Sequence, residues 1–147
     1  MHVPGPSQNL AAFPLSSTAI KVKWDPPEGE DQPVTKYQLH YYKVGDKSEQ
    51  ELELTSTSHE LNNLKKFSAY SFRVVAFNSN GAGVNTDEVE ARTYSDVPSE
   101  PPQNVTLEIV SASSIIVKWE PPPDDALNGI ITGYKIRYVK VHCSSIY

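Results

Sequence analysis

The feature that most constrains this chain is a self-similarity at a long, fixed offset. The block Ala19-Ile20-Lys21-Val22-Lys23-Trp24-Asp25-Pro26-Pro27 returns 95 residues later as Ser114-Ile115-Ile116-Val117-Lys118-Trp119-Glu120-Pro121-Pro122. Gly5-Pro6-Ser7-Gln8-Asn9-Leu10 returns at the same offset as Glu100-Pro101-Pro102-Gln103-Asn104-Val105. A third block, Val34 to Tyr41, returns as Ile131 to Tyr138 at an offset of 97, so the second copy carries a loop two residues longer after its tryptophan. The repeat defines a complete module over residues 4–94, a linker over 95–98, and the N-terminal half of a second module over 99–147.

Within each block apolar and polar residues alternate. Ile20, Val22 and Trp24 share one face, with Lys21 and Lys23 on the other. Tyr37, Leu39 and Tyr41 oppose Lys36, Gln38, His40 and Tyr42, and Leu52 and Leu54 oppose Glu51 and Glu53. Tyr70, Phe72, Val74 and Ala76 oppose Ser71, Arg73, Val75 and Phe77, and Val89 and Ala91 close the set. A period of two is the signature of half-buried strands. The runs are punctuated by Asp25-Pro26-Pro27-Glu28-Gly29, Gly45-Asp46, Asn62-Asn63 and Asn78-Ser79-Asn80-Gly81, all turn-forming sequences. Helical periodicity is absent. The pattern predicts an all-β chain of about seven short strands per module, folded as a two-sheet sandwich.

Two aromatic positions define the interior. Trp24 is expected between the sheets, where truncation to Ala costs about 3–5 kcal/mol. Tyr70, at the head of its strand and shortly after Leu64, suits a tyrosine corner, its ring closing the core and its hydroxyl satisfying an upstream backbone group. Tyr37, Phe72 and, in the second copy, Trp119 complete the expected core. In that copy Trp119, Ile115, Val117, Tyr134, Ile136 and Tyr138 face only half of a core. Such a segment buries too little area to offset chain entropy and is expected to be loosely ordered or aggregation-prone in isolation, with strand edges free to pair. Proline in the linker is expected to hold the two modules nearly end to end.

Composition removes several classes of function. The net charge is −5 and the basic residues form no run longer than Lys65-Lys66, which argues against nucleic-acid binding. No stretch reaches the roughly 20 apolar residues of a membrane span, and no positively charged segment leads an apolar run after Met1, so neither a span nor a signal peptide is expected within these residues. The single cysteine, Cys143, excludes an intramolecular disulfide and with it an antibody-type immunoglobulin domain. Twelve prolines, mostly clustered, belong to loops and strand edges. His2, His40, His59 and His142 have no metal-ligand spacing, Asp124-Asp125 is solvated loop charge, and Gly81-Ala82-Gly83 lacks the helix that a phosphate-binding loop requires. No nucleophile-base arrangement is present. No catalysis, cofactor, metal or small-molecule substrate is expected.

The Trp-x-Pro-Pro turn, the Gly/Thr-x-Tyr-x-φ-x-Tyr strand and the Leu-x5-Tyr-x-Phe-x-Val-x-Ala strand together resemble fibronectin type III modules of the immunoglobulin-like class. Leu64 to Asn78, Gly81 to Val84 and Tyr94 to Val105 further resemble the netrin-receptor family of DCC, neogenin and Frazzled, around the second and third fibronectin repeats. The resemblance implies an ectodomain segment of a single-pass guidance and adhesion receptor on the extracellular side of the plasma membrane. Its partners would be a protein ligand of netrin type or neighbouring domains of the same receptor. The same modules also occur in intracellular muscle-type scaffolds, which glycosylation at Asn104 or export would separate from a receptor, and as accessory modules of larger proteins, which the neighbouring genomic sequence would reveal.

Two candidate sites remain. Asn104-Val105-Thr106 is an N-glycosylation sequon at the start of an expected edge strand. His40 and Tyr42 should share the outer face of neighbouring strands with Arg73, Val75 and Phe77. Aromatic side chains beside arginine compose many protein-contact surfaces, and a partner or inter-domain contact is expected there.

Overall fold

A computed structural model describes residues 2–141. Ten strands form among these residues: β1 (Gln8–Pro14), β2 (Ile20–Asp25), β3 (Lys36–Lys43), β4 (Gln50–Leu54), β5 (Ser58–Leu61), β6 (Ala69–Asn78), β7 (Gly81–Ala82), β8 (Val89–Arg92), β9 (Gln103–Ser111) and β10 (Ser114–Glu120). The one helical element among the described residues is a 3-10 turn, Asp124–Ala126. His142 and Cys143 lie outside the described residues.

In the first repeat β1, β2 and β5 form one antiparallel sheet, and β4, β3 and β6 run side by side in the other, with β7 and β8 both paired to β6. The inner faces of the two sheets carry the alternating sets. Ile20, Val22 and Trp24 from one side meet Tyr37, Leu39, Tyr70, Phe72, Val74 and Ala76 from the other, sealed by Leu61. Trp24 is 3 % exposed and Phe72 fully buried. The Trp24 and Tyr37 rings meet edge-to-face with centroids 5.5 Å apart. This arrangement lets the positive edge of one ring meet the negative face of the other. Burial pushes the Tyr37 hydroxyl pKa up. Leu64 is half-buried against the same cluster.

The corner before β6 is tied twice. The Tyr70 hydroxyl accepts a hydrogen bond from the backbone N–H of Lys65 at 2.9 Å. The Thr93 hydroxyl, also buried, donates to the Lys65 carbonyl at 2.7 Å and accepts from the Ser68 N–H at 2.9 Å. Between these ties Phe67 adopts a left-handed φ of 46°, a conformation costly for a bulky residue unless its surroundings hold it.

The last strand of the module is interrupted. After β7 the chain leaves the regular ladder, yet Gly83 N–H still reaches the Ala76 carbonyl and Thr86 N–H the Val74 carbonyl. The N-terminal residues lie against this stretch. Pro4 O accepts from Val84 N–H at 3.0 Å, and His2 O accepts from the side-chain amides of Asn78 and Asn80. Gly83 permits this approach, because a Cβ there would sit 2.2 Å from the Pro4 carbonyl oxygen.

The second repeat begins as the first does. β9 and β10 pair as β1 and β2 do, and Trp119 and Tyr134 meet edge-to-face at 5.4 Å and 61°, against 5.5 Å and 66° for Trp24 and Tyr37. Ile131 to Tyr138, expected as a third strand, forms none. Its counterpart β3 is held in place by hydrogen bonds to β4 on one side and β6 on the other. No strand among the described residues flanks Ile131 to Tyr138, so an extended backbone there has no ladder to join. Trp119 is half-buried, and Leu107, Ile109, Tyr134 and Ile136 are exposed.

Candidate protein-contact face

The outer face of the larger sheet is built by register. Across β3 and β6, Lys36 stands opposite Phe77, Gln38 opposite Val75, His40 opposite Arg73 and Tyr42 opposite Ser71. Antiparallel cross-strand neighbours sit close enough for their side chains to interact, so the two strands bring these groups onto one surface. His40, Tyr42, Arg73 and Phe77 are half-buried. Val75 is only 4 % exposed and forms the floor of the face rather than its contact surface. Alternation assigns a side chain to a face, and the length of its neighbours then decides its exposure.

Acidic residues surround these groups. Arg73 pairs with Glu49, and His40 Nδ1 lies 3.7 Å from Glu51 and 3.9 Å from Glu49. His40 Nε2 meets the Gln38 amide oxygen at 3.0 Å. The Tyr42 and Ser71 hydroxyls both donate to Glu88, at 3.0 and 3.1 Å. Lys36 bonds Glu53 at 2.9 Å while its ammonium lies 4.8 Å from the centre of the Phe77 ring. This cation-π contact sets the ammonium over one side of the half-buried ring. The arrangement sets paired charges and hydrogen-bonded hydroxyls around an aromatic ring.

Asn104 has a structural role that its sequon does not signal. It sits at the start of β9 with φ 51°, and its side-chain amide donates to Glu120 at 2.6 Å. Asn9 does the same in the first repeat, with φ 54° and a 2.8 Å bond to Asp25. The strand register slips at both places. Asn tolerates the left-handed conformation that an antiparallel bulge needs, and its side chain secures the bulge to the neighbouring strand. Exact recurrence of an Asn and a following acid at the 95-residue offset is the signal that could have revealed this pair.

The linker is held by the long loop of the second repeat. Asp96 N–H donates to Asn128 O and Ser99 N–H to Ala126 O, both at 2.8 Å, and the Asn128 side chain donates to Val97 O at 3.0 Å. Lys66 reaches Asp96 at 2.8 Å. That hydrogen bond, joined by the Val97 N–H, holds the Asp96 carboxyl pKa below the usual carboxylate range. Among the described residues no group of three or more His, Cys, Asp or Glu side chains is placed to hold a metal ion. No helix among them is long and apolar enough to cross a membrane.

Two stacked antiparallel sheets, a central tryptophan and a tyrosine-tied corner define a fibronectin-type sandwich. The chain belongs to the fibronectin type III family: the profile of the fibronectin type III domain matches residues 4–92 and again 100–144. Among curated proteins it is similar to mouse neogenin, 46 % identical over 140 residues, and to the human netrin receptor DCC, 49 % identical over 140 residues. Each alignment covers 95 % of this chain, but the chain spans only about a tenth of either relative, 9 % and 10 %. Human receptor-type tyrosine-protein phosphatase F is 36 % identical over 138 residues, covering 92 % of this chain and 7 % of that protein. Among solved structures, the FN1–FN3 domains of chicken CNTN1 superpose with a TM-score of 0.57 at 28 % identity, over 64 % of this chain and 33 % of that one. The FN5 domain of Drosophila Lar superposes with a TM-score of 0.54 at 26 % identity, over 64 % of this chain and all of that one.

Proposed function

We propose that this chain is an ectodomain segment of a netrin-receptor-like guidance and adhesion receptor, serving as a protein-binding and spacer module without catalysis. The observation that carries the reading is the extent of the likeness to neogenin and DCC. At 46–49 % identity it runs through both repeats and the linker between them, rather than through one module alone. In this reading residues 4–94 are a whole module, 95–98 a linker and 99–147 the first half of the next. The protein lies on the extracellular side of the plasma membrane, and Asn104 carries a glycan. The glycan would share its nitrogen with the Glu120 hydrogen bond, since a glycosylated amide keeps one N–H.

An antibody against residues 4–94 tests the location. It should label intact cells that make the native protein. Labelling seen only after permeabilisation would instead support a muscle-type intracellular scaffold.

The outer face around Phe77 is the contact surface in this reading, for a netrin-type ligand or a neighbouring domain. Phe77→Asp should weaken binding of an immobilised netrin by roughly tenfold or more while leaving the melting temperature within a few degrees, the scale expected for an aromatic hot spot. Undiminished binding would exclude this face from the contact. A collapsed melting temperature would mark Phe77 as structural.

A further inference from the structure

The pair Asn-Gly occurs twice in the chain, at Asn80-Gly81 and Asn128-Gly129. It carries a chemistry of its own. Glycine has no side chain to shield its backbone nitrogen, which can attack the amide carbon of the asparagine before it. The structure treats the two pairs differently. Gly81 lies in β7, in register with Asn78, and the Asn80 N–H is fixed on the Asn78 side-chain oxygen at 2.8 Å. Gly129 lies in a bend outside every strand. Asn9, Asn63, Asn104 and Asn128 all hold a left-handed φ, but of these Asn128 alone precedes glycine, the others being followed by leucine or valine. That glycine is fixed by packing, because a Cβ on it would sit 3.0 Å from the Ser95 Cβ. The residue that lets the loop close on the linker therefore also leaves Asn128 open to attack.

We propose that Asn128 is a site of spontaneous deamidation, and that its conversion releases the linker from the loop of the second repeat. The Gly129 nitrogen gives its proton to hydroxide and attacks Asn128 Cγ. A C–N bond forms, closing a cyclic imide, and the side-chain nitrogen leaves as ammonia, taking a proton from water. Water then adds to either imide carbonyl and breaks its bond to the shared nitrogen. Opening at Cγ gives aspartate. Opening at the backbone carbonyl gives isoaspartate, with the chain running through Cγ. Water is consumed, ammonia is released, and nothing is oxidised or reduced. Both products undo what Asn128 holds. In the amide form its carbonyl accepts from the Asp96 N–H at 2.8 Å and its side chain donates to Val97 O at 3.0 Å. A carboxylate cannot donate, so it faces the Val97 carbonyl as acceptor against acceptor. It also adds negative charge to a loop that already carries Asp124 and Asp125. Isoaspartate lengthens the backbone as well, and displaces the carbonyl that holds Asp96.

Peptide mapping by mass spectrometry of the 147-residue chain, incubated at mildly alkaline pH with and without urea, tests the site. In buffer, conversion at Asn128 should outrun conversion at Asn80 by roughly tenfold or more, because reaction in an ordered segment waits on local opening. In urea the two Asn-Gly pairs are chemically alike and should react at similar rates. An isoaspartate-specific methyltransferase should label the Asn128 peptide of the chain aged in buffer. Hydrogen exchange of the Asp96 amide reads the consequence. It should be markedly faster in the converted chain and in Asn128→Asp, while the Leu64 amide, which donates to Thr18 O within the first repeat, stays as protected as before. The proposal is overturned by an Asn128 that survives in buffer as well as Asn80 does, by a rate gap that persists unchanged in urea, or by an Asp96 amide equally protected before and after conversion.

Discussion

Tyr70 and Thr93 hold one corner from two directions, and their contributions can be separated. Tyr70→Phe keeps the ring in the core but leaves the Lys65 N–H without its acceptor. Thr93→Val keeps the shape but removes both a donor to Lys65 O and an acceptor for Ser68 N–H. Each lost partner strands a polar group at about 1–3 kcal/mol, so Thr93→Val should be the more destabilising of the two in urea unfolding. Equal and negligible losses would show that water replaces these bonds. Tyr70 was readable in the sequence because its aromatic ring starts an alternating run after Leu64. Thr93 was not, since a lone threonine beyond a strand carries no periodic signal. Asn9 and Asn104 were hidden for a related reason: their role depends on a backbone angle, and only comparing the repeats exposes it.

Long amphipathic strands are the most legible elements. β2, β3 and β6 each place three or more apolar residues on one face, which is enough to define a period. β5 has four residues and one buried apolar side chain, Leu61, so alternation has nothing to count. The final strand is masked by its break between β7 and β8, where Gly83 gives room to Pro4 instead of continuing the pattern. Ile131 to Tyr138 shows the opposite failure. The alternation is present, but pairing depends on neighbours that a pattern within one segment cannot supply. At Gly83, Gly83→Ala should push the N-terminal residues off the module, because the contact distance lies far inside van der Waals separation. Hydrogen exchange of the Val84 amide, which donates to Pro4, should speed up markedly. Unchanged protection there would mean the N-terminal residues adjust without leaving.

For the molecule as a whole, the 95-residue offset made the modular plan visible before any element was assigned. The way the modules meet was not visible, since Asp96, Asn128 and Ser99 act through backbone groups, one side-chain amide and one ion pair. Asp96 gives that junction a pH dependence. Its carboxyl pKa is lowered in the folded chain, so its contribution is present above the unfolded pKa and is lost as pH falls through the folded one. An NMR titration should place the Asp96 midpoint below that of ordinary aspartates, and Lys66→Met should raise it. A midpoint indifferent to Lys66 would remove the ion pair from the account of the junction. The exposure of the pair makes its effect on global stability small.

Any contact surface this chain presents depends on two sheets closing over Trp24 and Tyr70. Trp119→Phe leaves Trp24 as the one indole, whose fluorescence then reports on that interior alone. The account predicts a blue-shifted emission that iodide does not quench until the module unfolds. Emission typical of a water-exposed indole, quenched by iodide under native conditions, would contradict it.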